Sequence, residues 1–198
     1  GPLPPEDVMQ AVGAMRFRLA EVQEGAPLWS SGNAAALFVR DHDVLDDASV
    51  DAHLRVAELA LVEIRSLVAT VARKRLAWRP AAGRRSLAET LEHLGNVAWW
   101  YAARLDDDWP ESPELADEYP GDRPLRLLAD ARAFLLAVPP DRRTTVVVPR
   151  RYPTRDRGEP WTHAKACRRE AEHALEHLPG VRRDAAAARA AVAADGGS

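Results

Sequence analysis

The chain has almost no cysteine. Cys167 stands alone, which excludes an intramolecular disulfide and leads us to expect a reducing, cytoplasmic setting. Strong charge of either sign is missing too. A formal net charge of −3 over 198 residues creates no global field for nucleic acid or an anionic membrane, so neither is expected as a partner. No apolar run approaches the ~20 residues of a membrane span. The opening GPLPPEDVMQ lacks the basic and apolar regions of a signal peptide. There is no internal repeat, and the only biased stretch is the Ala-rich tail. Lysine is scarce beside arginine, which reads as coding bias before it reads as function.

What is present has an ordinary globular balance, with 46% hydrophobic and 29% charged residues. The length suits one domain with a real core and some extra chain. Residues 4–24 can form an amphipathic helix, ended by Gly25 and Pro27. With the mixed stretch after it, this predicts an N-terminal extension over 1–45 that packs across the main domain through Trp29, Leu37 and Phe38.

Four long amphipathic helices follow. The first is predicted from about Ser49 to Lys74, capped by Asp47 or Ser49, with Leu54, Ala57, Leu61, Ile64 and Val68 as its core stripe. The second opens on a capping box, Ser86 with Glu89, and carries the seam Leu87, Leu91, Leu94, Ala98, Tyr101 and Leu105. The third, RPLRLLADARAFLLAV, ends at Pro139-Pro140. Thr144 to Val148 has strand propensity and predicts a short extended segment. The fourth starts after Pro160, capped by Thr162, and is expected to be interrupted at Pro179-Gly180. The fold class is therefore all-α: a four-helix bundle over 46–180, with the N-terminal extension before it and an Ala-rich tail over 181–198. The long connections permit a crossover topology.

The sharpest chemical proposal lies in WTHAKACRREAEHALEHL, residues 161–178, where His173 and His177 are four apart. On a helix they stack on one face and can reach one ion. His93, at a core edge of the second helix, supplies a third imidazole if helices two and four are neighbours. Three neutral imidazoles can hold a divalent metal at roughly 2.0–2.1 Å and leave a position open, the pattern of catalytic sites. The bland reading of such a pair is two surface histidines, and His93 on a second core helix weighs against it. Zinc is the metal this donor set favours, with nickel or iron also compatible.

RPAAGRRSLAETLEHLGNVAWWYAARL followed by WTHAKACRREAEHALEHL resembles the DinB-like superfamily over about Ser49 to Leu178. Trp78, Arg79, Pro80, Gly83, His93, Trp161, Arg168, Arg169, His173 and His177 fit its pattern. The resemblance implies a four-helix bundle and a metal site at His93, His173 and His177. It also implies a divalent-metal enzyme that activates a low-molecular-weight thiol such as mycothiol, or water, against a small-molecule substrate, in the manner of an S-transferase, isomerase or hydrolase. The alternative is a non-catalytic bundle that serves as an interaction module, metal-stabilised or metal-free. A homodimer is compatible with both.

Other residues carry weaker expectations. Trp100 shares the His93 strip and is a candidate pocket wall. Glu89, one turn before His93, is a candidate ligand or base, although its capping role already explains it. His163 is too far along the helix to share the ion but is a candidate for the pocket mouth. His173 to His177 also matches the inverted zinc-protease pattern H-x-x-E-H, with Glu176 as base, but only Asp184 and Asp195 follow as possible acidic ligands. Glu176 is expected to be solvated, and Glu92 and Glu172 to make salt bridges or outer contacts. Cys167 reads as a small core residue. The arginines at 142, 143, 150, 151, 155 and 157 are expected to be solvated or to bind an anionic group at the bundle end.

Overall fold

The computed structural model describes residues 37–111, 114–115, 117–151 and 158–195. The expected helix over 4–24 and the anchor Trp29 lie outside the described residues. Within them are four α-helices: α1 (Asp47–Ala69), α2 (Leu87–Ala102), α3 (Arg123–Ala137) and α4 (His163–Asp195). The all-α four-helix bundle read from the sequence is the observed architecture.

Each helix begins where its local chemistry dictates. Asp46 caps α1 by accepting from the Ser49 N–H at 2.7 Å, one residue earlier than the expected cap. The shift follows from geometry, since the orphan donor of Ser49 needs an acceptor three residues before it. The helix stops at Ala69, and a 3-10 turn over Arg73–Arg75 replaces the expected last turn. The α2 capping box forms as read. Ser86 Oγ accepts from Glu89 N at 3.2 Å, and Glu89 Oε2 accepts from Ser86 N at 2.8 Å. Pro124 sits in the first turn of α3, where a missing N–H costs nothing. Thr162 Oγ1 accepts from Lys165 N at 3.2 Å and so caps α4.

The expected break at Pro179-Gly180 does not occur, and α4 runs through Pro179 to Asp195. Proline removes one helical hydrogen bond there. The apolar stripe nevertheless continues through Leu178, Val181, Ala185 and Ala188, all buried in the common core. Packing of that stripe outweighs the local cost, so residues 181–195 belong to the last bundle helix.

α1 packs most extensively on α4, and α2 on α3. Smaller contacts join α1 to α3 and α2 to α4, which leaves α1–α2 and α3–α4 as the diagonals. Both diagonal connections, 70–86 and 138–162, are long, as a crossover bundle requires. Gly95 sets the α2–α3 approach, because a Cβ there would meet Leu127 Cδ1 at 3.1 Å. The core is aliphatic, with Val50, Leu54, Ile64, Leu91, Leu127 and Leu135 almost wholly excluded from water. Each such side chain contributes about 1.5–3 kcal/mol of transfer free energy.

Two smaller elements complete the structure. The extended segment before α4 is one antiparallel bridge, with Val147 and Trp161 exchanging N–H···O bonds of 2.7 Å. A 3-10 turn at Val39–His42 lies against the start of α4. There Arg168 donates to both carboxylate oxygens of Asp41 at 2.8 Å, and the Thr162 hydroxyl donates to Asp41 O. Phe38 lies 4.9 Å from the Arg168 guanidinium. The described end of the extension thus lies against the start of α4.

Candidate metal centre

His93 lies midway along α2, and His173 and His177 lie one turn apart on α4. Because α2 and α4 are neighbours, the three rings meet. Their centroids are 5.0 Å (His93–His173), 5.1 Å (His93–His177) and 4.6 Å (His173–His177) apart. One ligand nitrogen from each falls within 4.8 Å of the others, so the group could hold a metal ion. The tightest pair, His173 Nε2 and His93 Nε2, is 3.1 Å apart. Two nitrogens bound to one ion at ~2.0–2.1 Å in a tetrahedral array are separated by roughly 3.3 Å. That pair is already near the spacing of two ligands on one ion, and the third nitrogen lies within 4.8 Å of both, so the donor set could hold a divalent ion.

The electrostatics favour ligation over protonation. Burial, then the Arg85 charge, then His177 lower the pKa of His93 to about 4. Burial, then His177 and His93, lower that of His173 to about 3. His177 is lowered by burial first and by Arg85 next. All three are neutral at pH 7, the form that binds metal. Glu176 Oε2 lies 3.6 Å from His173 Nδ1. That is a charge contact longer than a hydrogen bond, and a carboxylate on the Nδ1 side favours the ring form that would present Nε2 to a bound ion.

The rings open onto a cavity of about 480 Å³. Val97 and Trp100 wall it on the α2 side, as expected for Trp100. Tyr101 adds a ring 6.1 Å from His173, edge to face. Trp161 stacks behind, 5.4 Å from Trp100 and 5.6 Å from Tyr101. Arg169 donates to Tyr101 Oη at 3.3 Å and pairs with Glu172 at 2.9 Å and Glu176 at 3.5 Å. Burial pushes the Tyr101 phenol above its ordinary pKa, so it is a hydrogen-bonding group at neutral pH.

Three candidates sit elsewhere. Glu89 does not line this cavity. Its carboxylate is held by the Ser86 N–H and by Arg79, which turns it away from His93. His163 is 2% exposed and binds Leu135 O through Nε2 at 2.8 Å. It faces a different cavity, with Phe134, Val138 and Arg142, so it is not at the mouth of the histidine site. Burial raises the Cys167 thiol to about 12, and its side chain is fully enclosed, as a core residue requires. Asp184 pairs with Arg84 at 3.4 Å and is not in the histidine group.

The arginine-rich stretch is also accounted for in part. Arg143 is buried and serves the fold, while Arg150 and Arg151 bond Asp107. Arg155 and Arg157 lie outside the described residues. Of the cavity's other polar residues, Arg85 and Asn96 were not picked out from the sequence, and Glu176, expected to be solvated, lines the cavity while staying about half exposed. Glu176 was readable from its position, three residues after His173 and just before His177. Arg85 is one of several arginines in its connector, and nothing local marks it.

Among the described residues, no helix is long and apolar enough to cross a membrane. Compared with protein-family models, with curated proteins and with solved structures, the chain finds no significant match in any of the three.

Proposed function

We propose that this chain is a divalent-metal-dependent enzyme of the DinB-like type, acting on a small electrophilic molecule with a thiol or water as nucleophile. The observation that carries the reading is the convergence of three neutral imidazoles in the lining of an open cavity, with no fourth protein ligand among the described residues. A closed structural site would supply four ligands. A bundle that only binds other proteins gains nothing from a cavity of about 480 Å³ that brings three histidines together with Val97 and Trp100 between α2 and α4.

A bound divalent ion would supply Lewis acidity, lowering the pKa of a thiol or water that occupies the open position. The chain's own residues do the rest. His93, His173 and His177 hold the ion with neutral nitrogens, so its charge is not cancelled by protein ligands. Glu176 orients His173. Trp100 and Val97 exclude water on one side, and Tyr101, held by Arg169, presents a hydroxyl at the cavity wall. Zinc is the metal we expect, because imidazole donors in tetrahedral array suit it, and nickel and iron are the competing candidates.

The test is a screen of zinc-, nickel- and iron-loaded protein for conjugation of mycothiol, bacillithiol or glutathione to an electrophile such as a haloarene, and for thiol-dependent isomerisation. Turnover that vanishes on chelation, and in His173→Ala, supports the reading. Turnover indifferent to both would reject it.

A further inference from the structure

We infer that Arg85 is the recognition residue for a carboxylate-bearing ligand of the three-histidine pocket, so that the small molecule taken there is an organic acid. This deepens the functional reading above and rests on the same cavity. The observation is a charge without a counter-charge. Three arginines lie close together in the connector to α2, and two are spoken for. Arg79 pairs with Glu89 and donates to Arg84 O at 2.9 Å. Arg84 reaches Asp184 at 3.4 Å. Arg85 makes no hydrogen bond or ion pair with any described residue, and it lines the cavity beside the three histidines.

The rest of the pocket does not neutralise it. Arg169 is matched by Glu172 and Glu176. The three imidazoles are neutral. With a divalent ion in place, the positive charge of ion and Arg85 would face a cavity whose only carboxylate among the described residues, Glu176, is already shared between Arg169 and His173. An anionic occupant corrects that imbalance where a neutral one does not.

A second donor sits in the same wall. Arg123 Nη2 donates to Asn96 Oδ1 at 2.9 Å. A guanidinium cannot accept, so this bond fixes the amide and leaves the Asn96 NH₂ as a donor for the cavity. A planar guanidinium with an amide N–H suits a carboxylate, which accepts in its plane. Val97 and Trp100 supply an apolar face for the carbon skeleton.

The test uses two shape-matched probes, para-fluorobenzoate and para-fluorobenzamide, followed by fluorine NMR with wild-type and Arg85→Gln protein, each metal-free and zinc-loaded. Arg85 is exposed, so Arg85→Gln should fold, and an unchanged Tm verifies it. We expect the benzoate to bind wild type about tenfold more tightly than the amide. In Arg85→Gln that preference should disappear while amide affinity stays the same. A preference that survives Arg85→Gln would assign the anion to the metal or to Arg169 and overturn the proposal. So would equal binding of the two probes, or binding of neither, by wild type. Zinc content measured on the same samples reports separately on the metal reading. Failure to take up zinc sinks that reading, whereas the metal-free pair still decides the role of Arg85.

Discussion

Two polar clusters sit along α4, and they are built on opposite principles. At its start, buried charges are matched. Arg143, 2% exposed, donates to Asp47 Oδ1 and to Leu45 O at 2.6 Å, to Val138 O at 3.0 Å and to Leu136 O at 3.2 Å. Lys165 Nζ donates to Glu159 at 3.0 Å and to Pro160 O at 2.9 Å, with both side chains 1% exposed. Arg168 grips Asp41 and Glu172 with paired bonds. Two turns further on, the histidines reverse this. Their ligand nitrogens face one another, and among the described residues no acid joins the group, Glu176 lying 3.6 Å away on the Nδ1 side of His173. The first cluster closes the bundle end onto the incoming chain. The second is left unsatisfied by protein, which is the expected cost of a site that binds something else.

If this contrast is right, substitutions in the first cluster should cost stability, and those in the second should cost binding. The largest stability effect is expected from Arg143→Ala. It leaves the three backbone carbonyls that Arg143 binds without their donor, and should cost about 3 kcal/mol in chemical denaturation. A loss no greater than that of a surface arginine would mean the bundle end is held by apolar packing alone.

Glu176→Gln should leave the fold intact and weaken metal affinity about tenfold, since it removes the charge beside His173 while Arg169 keeps its closer partner Glu172. Competition against a chelator of known affinity reads this directly. No change would remove Glu176 from the site.

The metal-free protein should also become less stable in acid. Unfolded histidines take up protons near the ordinary 6.5, whereas His93 and His173 in the folded chain do so only near 4 and 3. Between those values the unfolded chain binds more protons, so stability is present above about 6.5 and falls as pH drops toward 3. Denaturation midpoints of wild type and His173→Ala over this range should converge as pH falls. Parallel curves would show that the imidazoles are solvated.

The smallest effect concerns Glu170, fully enclosed, with Oε1 unpartnered among the described residues. Burial raises its pKa well above 4.5, so its folded form prefers the neutral acid. Its contribution is present below the ordinary carboxylate pKa and is lost as pH rises toward the folded value. Glu170→Gln should therefore raise Tm modestly at pH 8 and hardly at pH 4. An equal change at both would remove the titration from the explanation.

Much of this was written locally in the sequence. The capping box at Ser86, the seam from Leu87 to Tyr101 and the His173–His177 spacing are short-range signals, and each helix formed near its predicted place. The meeting of His93 with that pair was an inference about which helices are neighbours, and it was supported by the face on which His93 lies. The failures share a cause. Pro179 breaks a helix only where packing does not hold the next turns, and Val181 and Ala185 hold them from across the core. Glu89 has the right spacing to reach His93, yet a nearer N–H and Arg79 compete for it. His163 faces the α3 end of the bundle because Leu135 O offers its ring an acceptor. Such choices depend on how competing contacts balance once the helices have packed, as does the isolation of Arg85.

The central claim is that His93, His173 and His177 bind one divalent ion. It is tested most directly by metal analysis of protein purified without a metal-binding tag or added metal, beside His93→Ala. The account predicts close to one metal per chain in the parent and none in the folded variant. A parent that carries no metal and takes up none on reconstitution, or a variant that keeps its full complement, would contradict it.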